Sequence, residues 1–494
     1  MRMIKNPQSR LGQVTIADIQ FDARSRDDIP AILKGLQFLY VTEAVRNKVF
    51  ALLEHSLGSG IRKDVGRPGM ELWPTLVLAT LKLGLNCDFD RLQELANHHN
   101  LLRQMLGHSD WEDTRTYALQ TLIDNVSRLK PEVLADINQV VVEAGHELLK
   151  KKLSDPLKGR CDSFVVETDV HYPTDINLLW DAMRKLMDGA GKACERHGIR
   201  GWRQYRHHLR QLRKRYRAAQ KARHSNSSAE AKKQAARRQV RQRYRDYLTQ
   251  ARYFVKKSQQ VLDHLAQHGD CVTILQIDGY IRHAQRQIDQ IERRVLKDEV
   301  IPHEEKVFSI FEEHTEWISK GKAGVPVELG VRVCVLEDQH QFILHHRIMW
   351  KETDDKVAVA MVAAALERYP SLNQCSFDKG FYTPKNREAL NGLLAQPVLP
   401  KKGRLSQDDR DREHSDDFRA ARRQHSAVES CINNLEVRGL DRCLSYGKSG
   451  FERHVALSVV ACNVHRVGMI LQRQERARLR RAERRRQRPM LLAA

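Results

Sequence analysis

The 494-residue chain contains no Cys-x-x-Cys pair, and its nine cysteines, an odd number, are scattered from Cys87 to Cys462. That pattern excludes a disulfide framework and a cysteine zinc site, so the thiols are expected to be reduced and mostly buried. No run reaches the roughly 20 apolar residues of a membrane span. The N-terminus "MRMIKNPQSR" also lacks the apolar block of a secretion signal. A cytoplasmic location is therefore expected, in the nucleoid if the partner is DNA. What the chain has in excess is positive charge: 84 Lys and Arg stand against 62 Asp and Glu, a net +22. A balance of that kind suits a protein that holds a polyanion. With 41% hydrophobic and 30% charged residues the chain reads as globular, and its length calls for two or more domains.

The first 150 residues read as helical. "ELWPTLVLATLKLGL" is an apolar helix, "NCD" a break, "FDRLQELANHHN" a second short helix, and "LLRQMLG" follows. Helix, turn, helix with a polar and basic second member suits DNA binding. Just upstream, Arg67 in "VGRPG" reads either as part of a minor-groove arm or as a turn before a helix.

From Asp175 to about Val300 the texture is that of coiled-coil seams. Trp202, Tyr205, Leu209, Leu212, Tyr216 and Ala219 recur at steps of three and four, as do Val240, Tyr244, Tyr247, Ala251, Phe254, Ser258, Val261 and Leu265. A third seam runs from Ile277 to Val295. The polar break "HSNSSAE" predicts an antiparallel hairpin between the first two. Their outward faces, "RQLRKRYRAAQKAR" and "KKQAARRQVRQRYR", are nearly free of acids. An ordinary solvated face mixes signs, so Arg213, Lys214 and Arg215 are read as phosphate contacts.

After Ile301 the pattern becomes strand, strand, helix, strand, helix, strand, helix: "VELGVRVCVLE" and "QFILHHRIMW" are joined by "DQHQ", and the chain ends in a long apolar helix with a basic tail. Together with the earlier strand "SFVVETDV" this predicts a mixed α/β sheet that carries the helical element as an insertion after its first strand. Asp169 closes that first strand, Asp378 closes the strand "CSF", and Glu429 sits one turn into the helix "SAVESCINN". Acids at the carboxyl ends of neighbouring strands meet at one sheet edge. Crowded carboxylates repel unless a cation neutralises them, and hard oxygen donors suit Mg²⁺ or Mn²⁺. Two such ions, roughly 3.5–4 Å apart, support in-line displacement at phosphorus. Glu167, Asp175, Asp338, Asp354 and Asp355 are rival acids. Arg422 and Arg423, near the start of the Glu429 helix, are read as backbone-phosphate contacts.

"VVETDVHYPTD", "GKAGVPVELG", "SFDKGFYTPKNREAL", "RRQHSAVESCINNLEVRGLDRC" and "VALSVVACNVHRVG", in that order, resemble bacterial insertion-sequence transposases of the DDE type, and among them the ISNCY group. The resemblance covers about residues 164–468 and, more loosely, "GRPGMELWPTLVLATLKLG". It implies an RNase H-like catalytic domain with Asp169, Asp378 and Glu429 as ligands of two Mg²⁺ or Mn²⁺ ions. It also implies binding of double-stranded DNA at terminal inverted repeats, cleavage of the element ends, transfer of the 3′-hydroxyl to target DNA, and action as a homodimer or higher multimer. The Tyr and Lys that some relatives carry around the third acid are absent here. The expected division is a helical DNA-binding region at 1–150, a catalytic domain at 160–177 and 301–470, a basic helical insertion at 178–300, and a basic tail at 471–494. An RNase H-like nuclease without strand transfer, such as a resolvase, and a non-catalytic DNA-binding protein are the alternatives.

Overall fold

Among the described residues, seven α-helices form over the first 150 positions, where apolar residues recur at helical spacing: α1 (Asp28–Val41), α2 (Glu43–His55), α3 (Leu72–Gly84), α4 (Phe89–His98), α5 (Asn100–Met105), α6 (Leu119–Val126) and α7 (Pro131–Leu148). Side-chain caps start several of them. Asp27 accepts the Ile29 N–H at 2.7 Å before α1, and Asp88 accepts the Arg91 N–H at 2.8 Å before α4. The predicted helix–turn–helix is present, but every residue of α3 is buried, so its first member is a core helix. In this computed structural model residues 3–5, 11–56, 69–109, 113–152, 154–222, 229–319 and 327–491 are described, with side chains to 484.

The chain then enters strand β1 (Leu157–Thr168) and four helices: α8 (Asp175–His197), α9 (Tyr205–Lys221), α10 (Glu230–Gln267) and α11 (Cys271–Ile291). The three predicted seams are the buried stripes of α9, α10 and α11. Trp202, Tyr205, Leu212, Tyr247, Phe254, Leu265, Ile277 and Ile281 share one core with the apolar face of α8. At 38 residues, α10 is about 57 Å long at 1.5 Å per residue. α8 ends at Gly198, whose φ of 66° is the left-handed cap that glycine adopts without penalty.

The remaining elements are β2 (Glu316–Ser319), β3 (Val327–Asp338), β4 (Ile343–Met349), α12 (Asp354–Arg368), β5 (Leu372–Phe377), α13 (Pro384–Leu393), β6 (Gln396–Val398), α14 (Gln407–Glu413), α15 (Asp416–His425), α16 (Ala427–Leu435), β7 (Arg442–Cys443) and α17 (Gly447–Leu491). The strands form one mixed seven-stranded sheet in the order β2-β3-β1-β5-β6, with β4 also on β3 and β7 also on β1. β1 is antiparallel to β3 and parallel to β5, β3 is antiparallel to β4, and β5 is parallel to β6.

Two compact units result, Met1–Asp169 with Ile318–Ala494, and Val170–Trp317. These boundaries differ from those expected. The N-terminal helices and one sheet face share a single core running from Ile16 to Ile470, so residues 1–150 are no separate domain. The insertion takes in α8 as well as the three seams, spanning 170–317 instead of 178–300. The basic tail is a continuation of α17. Where α17 crosses α1, a Cβ on Gly468 would lie 1.8 Å from the Ala31 carbonyl oxygen, which is why only glycine fits there. The stretch Gly447–Arg484 is the one described helix long and apolar enough to cross a membrane, and 78% of its apolar window is buried inside the protein.

Candidate active site

Parallel pairing of β1 with β5 sets Cys161 beside Phe377. One step further, Asp162 is level with Asp378, the residue that follows β5. β1 runs on past this point to Thr168, held there by β3 and β7 only. Side chains alternate along a strand, so Arg160, Asp162, Phe164 and Val166 share a face. Phe164 and Val166 pack against Cys431 and Leu435 of α16 and Phe451 and Val455 of α17. Asp162 therefore emerges on the face that α16 covers, and Glu429 lies in the first turn of α16.

The electrostatics agree with this placement. The Asp162 carboxyl is pushed up to about 6 from its usual 3.8, first by burial and then by the negative charges of Asp378, Asp354 and Glu429. The Ser163 N–H, donating to Oδ1 at 2.8 Å, opposes the rise. Asp354, in the first turn of α12, accepts the Ser163 hydroxyl at 2.6 Å. Asp378 and Glu429 are both exposed, so the cluster opens to solvent on one side.

Asp169 does not join this cluster, and the expectation for it is corrected. It stands seven residues beyond Asp162, roughly 23 Å along an extended strand at about 3.3 Å per residue. It is 59% exposed, with the Arg442 guanidinium 4.0 Å away. The strand begins at Leu157, well before the apolar run that marks it in the sequence, and this earlier start places Asp162 level with Asp378. Among the rival acids, Asp338 is fully committed. It takes the His146 imidazole at 2.5 Å and the N–H groups of His340 and Phe342.

A buried brace ties the elements that carry the acids. Arg160 donates from Nη2 to the Asp338 carbonyl at 2.7 Å and from Nη1 to the Gln424 carbonyl at 3.4 Å, and its Nε lies 3.1 Å from Glu337 Oε1. Glu337 is almost wholly buried. Burial raises its carboxyl to about 7 against the pull of Arg160 and of a hydrogen bond from the Cys431 thiol. His425, at the end of α15, faces the same cluster. Burial lowers its imidazole, Asp378 and Glu429 pull the other way, and the ring lies 3.0 Å from the Ser376 hydroxyl.

Arg422 and Arg423 are exposed on the last turn of α15, immediately before α16, and the Arg422 charge reaches His425. Arg213 and Lys214 are exposed on α9, whereas Arg215 is half-buried with Nη1 donating to the Gln211 carbonyl at 3.5 Å. Arg67 lies outside the described residues. His171, beside Asp169 in the sequence, pairs with Asp181 at 3.3 Å.

No protein-family model matches the chain, and neither a curated protein nor a solved structure matches it. The site is therefore argued from its own chemistry. Its donors are carboxylate oxygens, the hard ligands that Mg²⁺ and Mn²⁺ take, and the Asp162 carboxyl, raised to about 6 first by burial and further by three neighbouring carboxylates, has surroundings that a cation would relieve. Among the described residues no three His, Cys, Asp or Glu side chains already stand in ligating geometry.

Proposed function

We propose that the chain is a DNA-cleaving and DNA-joining enzyme of the DDE transposase kind, with Asp162, Asp378 and Glu429 as its acids. The observation that carries this reading is the meeting of Asp162 in mid-β1, Asp378 after β5 and Glu429 at the start of α16 in one electrostatic cluster. The sheet supports an RNase H-like identity for the domain. Its first long strand is central, an antiparallel pair follows on one side, and two parallel strands lie on the other.

Asp162, Asp378 and Glu429 would hold divalent ions, with Asp354 braced behind them. Bound there, such ions lower the pKa of an attacking oxygen and stabilise the leaving one. The chain's own residues do the rest. Arg160 and Glu337 fix β1 against α15 and α16, so that the acids keep their spacing. Arg422 and Arg423 present guanidinium forks to a backbone phosphate beside the cluster. The exposed Arg213 and Lys214 grip phosphates elsewhere along double-stranded DNA, and that electrostatic grip is independent of sequence. Action on paired inverted-repeat ends as a multimer belongs to the same reading.

The test is cleavage and strand transfer on DNA taken from both sides of the gene, where this reading expects inverted repeats, with Mg²⁺ or Mn²⁺. Asp162→Asn, Asp378→Asn and Glu429→Gln should each abolish cutting while DNA binding persists, and Asp169→Asn should cut like the unaltered protein. Cutting that survives Asp162→Asn refutes the site. Cutting of branched DNA with no joined product makes the protein a resolvase-type nuclease instead, and binding indifferent to EDTA with no cutting leaves a DNA-binding protein.

A further inference from the structure

We propose that the helical unit 170–317 carries a nucleotide site: a ring-lined cavity for one unstacked base beside an arginine recess for its phosphate. This inference is independent of the acid cluster, since every residue it uses lies between 172 and 317.

The first cavity holds about 460 Å³, within the ~300–1,000 Å³ range of small-molecule sites. Its wall is aromatic. Tyr172 meets Trp317 edge-on with ring centres 5.6 Å apart, and Phe308 lies 5.6 Å from Trp317 and 5.2 Å from His303. Tyr172 is 62% exposed, a large ring left open at the cavity mouth. Base stacking on such faces contributes about 1–3 kcal/mol per base. Gln287 lines the same cavity with no exposed surface, and neither its Nε2 nor its Oε1 has a partner. A buried amide with both ends unpaired is costly. Its adjacent donor and acceptor complement the hydrogen-bonding edge of a base, which reaches it through a small shift of the side chains that cover it.

The second cavity, about 220 Å³, is lined by Arg237, Arg241 and Arg294, and Arg294 lines the first cavity as well. Asp175 holds Arg294 in a fork at 2.6 and 2.9 Å, and Asp298 accepts from Arg237 and Arg241. Three guanidinium groups thus face two carboxylates, and Arg241 Nε is buried with no partner. Guanidinium forks match phosphate oxygens. Residues 170–317 hold 30 Lys and Arg against 18 Asp and Glu, so the field around the unit favours an anion. A ring site and a phosphate site that share one arginine together have the makings of a single nucleotide's footprint. That nucleotide is supplied either by a DNA strand or free in solution.

The experiment uses the full chain. Duplexes with one 2-aminopurine opposite an abasic position are compared with the fully paired duplex, and dAMP is compared with deoxyadenosine by calorimetry. If a strand supplies the base, the duplex with the unpaired base binds at least about fivefold more tightly, as ~1 kcal/mol of stacking requires. Tyr172→Leu then removes that preference. If the nucleotide is free, dAMP binds at least about tenfold more tightly than deoxyadenosine, and Arg237→Gln with Arg241→Gln removes the difference. Tyr172 and Arg237 are mostly exposed and Arg241 is 30% exposed, and circular dichroism verifies that each variant keeps the fold before its binding is compared. Absence of both an unpaired-base preference and dAMP binding at about 1 mM overturns the proposal. So does a preference left unchanged by Tyr172→Leu.

Discussion

Replacing Asp162 by Asn should stabilise the protein in the absence of divalent metal, and by an amount that depends on pH. The folded carboxyl titrates at about 6, against the usual 3.8. A raised acid binds its proton more tightly in the folded than in the unfolded chain, so stability falls as pH rises from about 4 to about 6 and stays low above that. About two pKa units at 1.36 kcal/mol each set a ceiling of about 3 kcal/mol. The amide keeps the size of the side chain and never carries the charge. The variant should therefore match the unaltered protein at pH 4 and exceed it by about 1–3 kcal/mol at pH 7.5. Urea unfolding in EDTA, followed by tryptophan fluorescence across that pH range, measures the difference. Added Mg²⁺ should narrow it, because an ion that binds only the folded state stabilises the unaltered protein. Asp169→Asn is the control and should stay within about 0.5 kcal/mol at every pH. Parallel pH profiles for Asp162→Asn and the unaltered protein would refute the claim that neighbouring acids and burial hold the Asp162 carboxyl up.

Changing Arg213, Lys214 and Arg215 together to Gln should lower the slope of log K against log salt for duplex DNA by about 2–3, at about 0.9 per phosphate contact; the lower figure applies if the half-buried Arg215 makes none, and an unchanged slope returns all three to a solvated face. Arg160→Met should cost about 1–3 kcal/mol, chiefly because the Asp338 and Gln424 carbonyls lose their donor, while the Glu337 carboxyl, already raised to about 7, takes up a proton instead of standing as a bare charge; adding Glu337→Gln should therefore change the loss little at pH 7 and recover more of it at pH 9 in the same unfolding assay. Gly468→Ala should destabilise by about 1–3 kcal/mol, since the new methyl meets the Ala31 carbonyl, and a thermal midpoint equal to that of the unaltered protein would contradict the close seat of α17 on α1.

Much of the fold was legible because its elements carry strong periodic signals. The seams of α9, α10 and α11 are long enough for the period of three and four to dominate, and their seam residues are the buried ones. β3 and β4 announce themselves by β-branched runs around a four-residue turn. α8 was missed although its buried face is regular, because Met, Cys and Gly dilute the apolar pattern. The sharing of one core by the N-terminal helices and the sheet was invisible for a different reason. It depends on contacts such as α1 with α17, between positions more than 400 residues apart, which no local pattern reports.

The acids divide along the same line. Asp378 is legible as a candidate because it follows the short apolar strand end "CSF", and Glu429 because it sits one turn into a clearly marked helix start. Asp169 follows from the rule that chemistry gathers at the carboxyl ends of parallel strands only when that rule is applied to β1 alone. The rule acts on a sheet edge, and the edge is set by the parallel neighbour: β5 stops at Phe377, opposite Cys161, while β1 continues to Thr168 beside β3 and β7. The edge that carries Asp378 therefore cuts β1 in its middle, at Asp162, a charged residue in the less apolar half, "LKGRCD". One signal did point there. Arg160 and Asp162 are charges at alternate positions that run directly into the buried Phe164 and Val166 on the same face, and a strand keeps charges on a core-facing row only where something other than packing requires them.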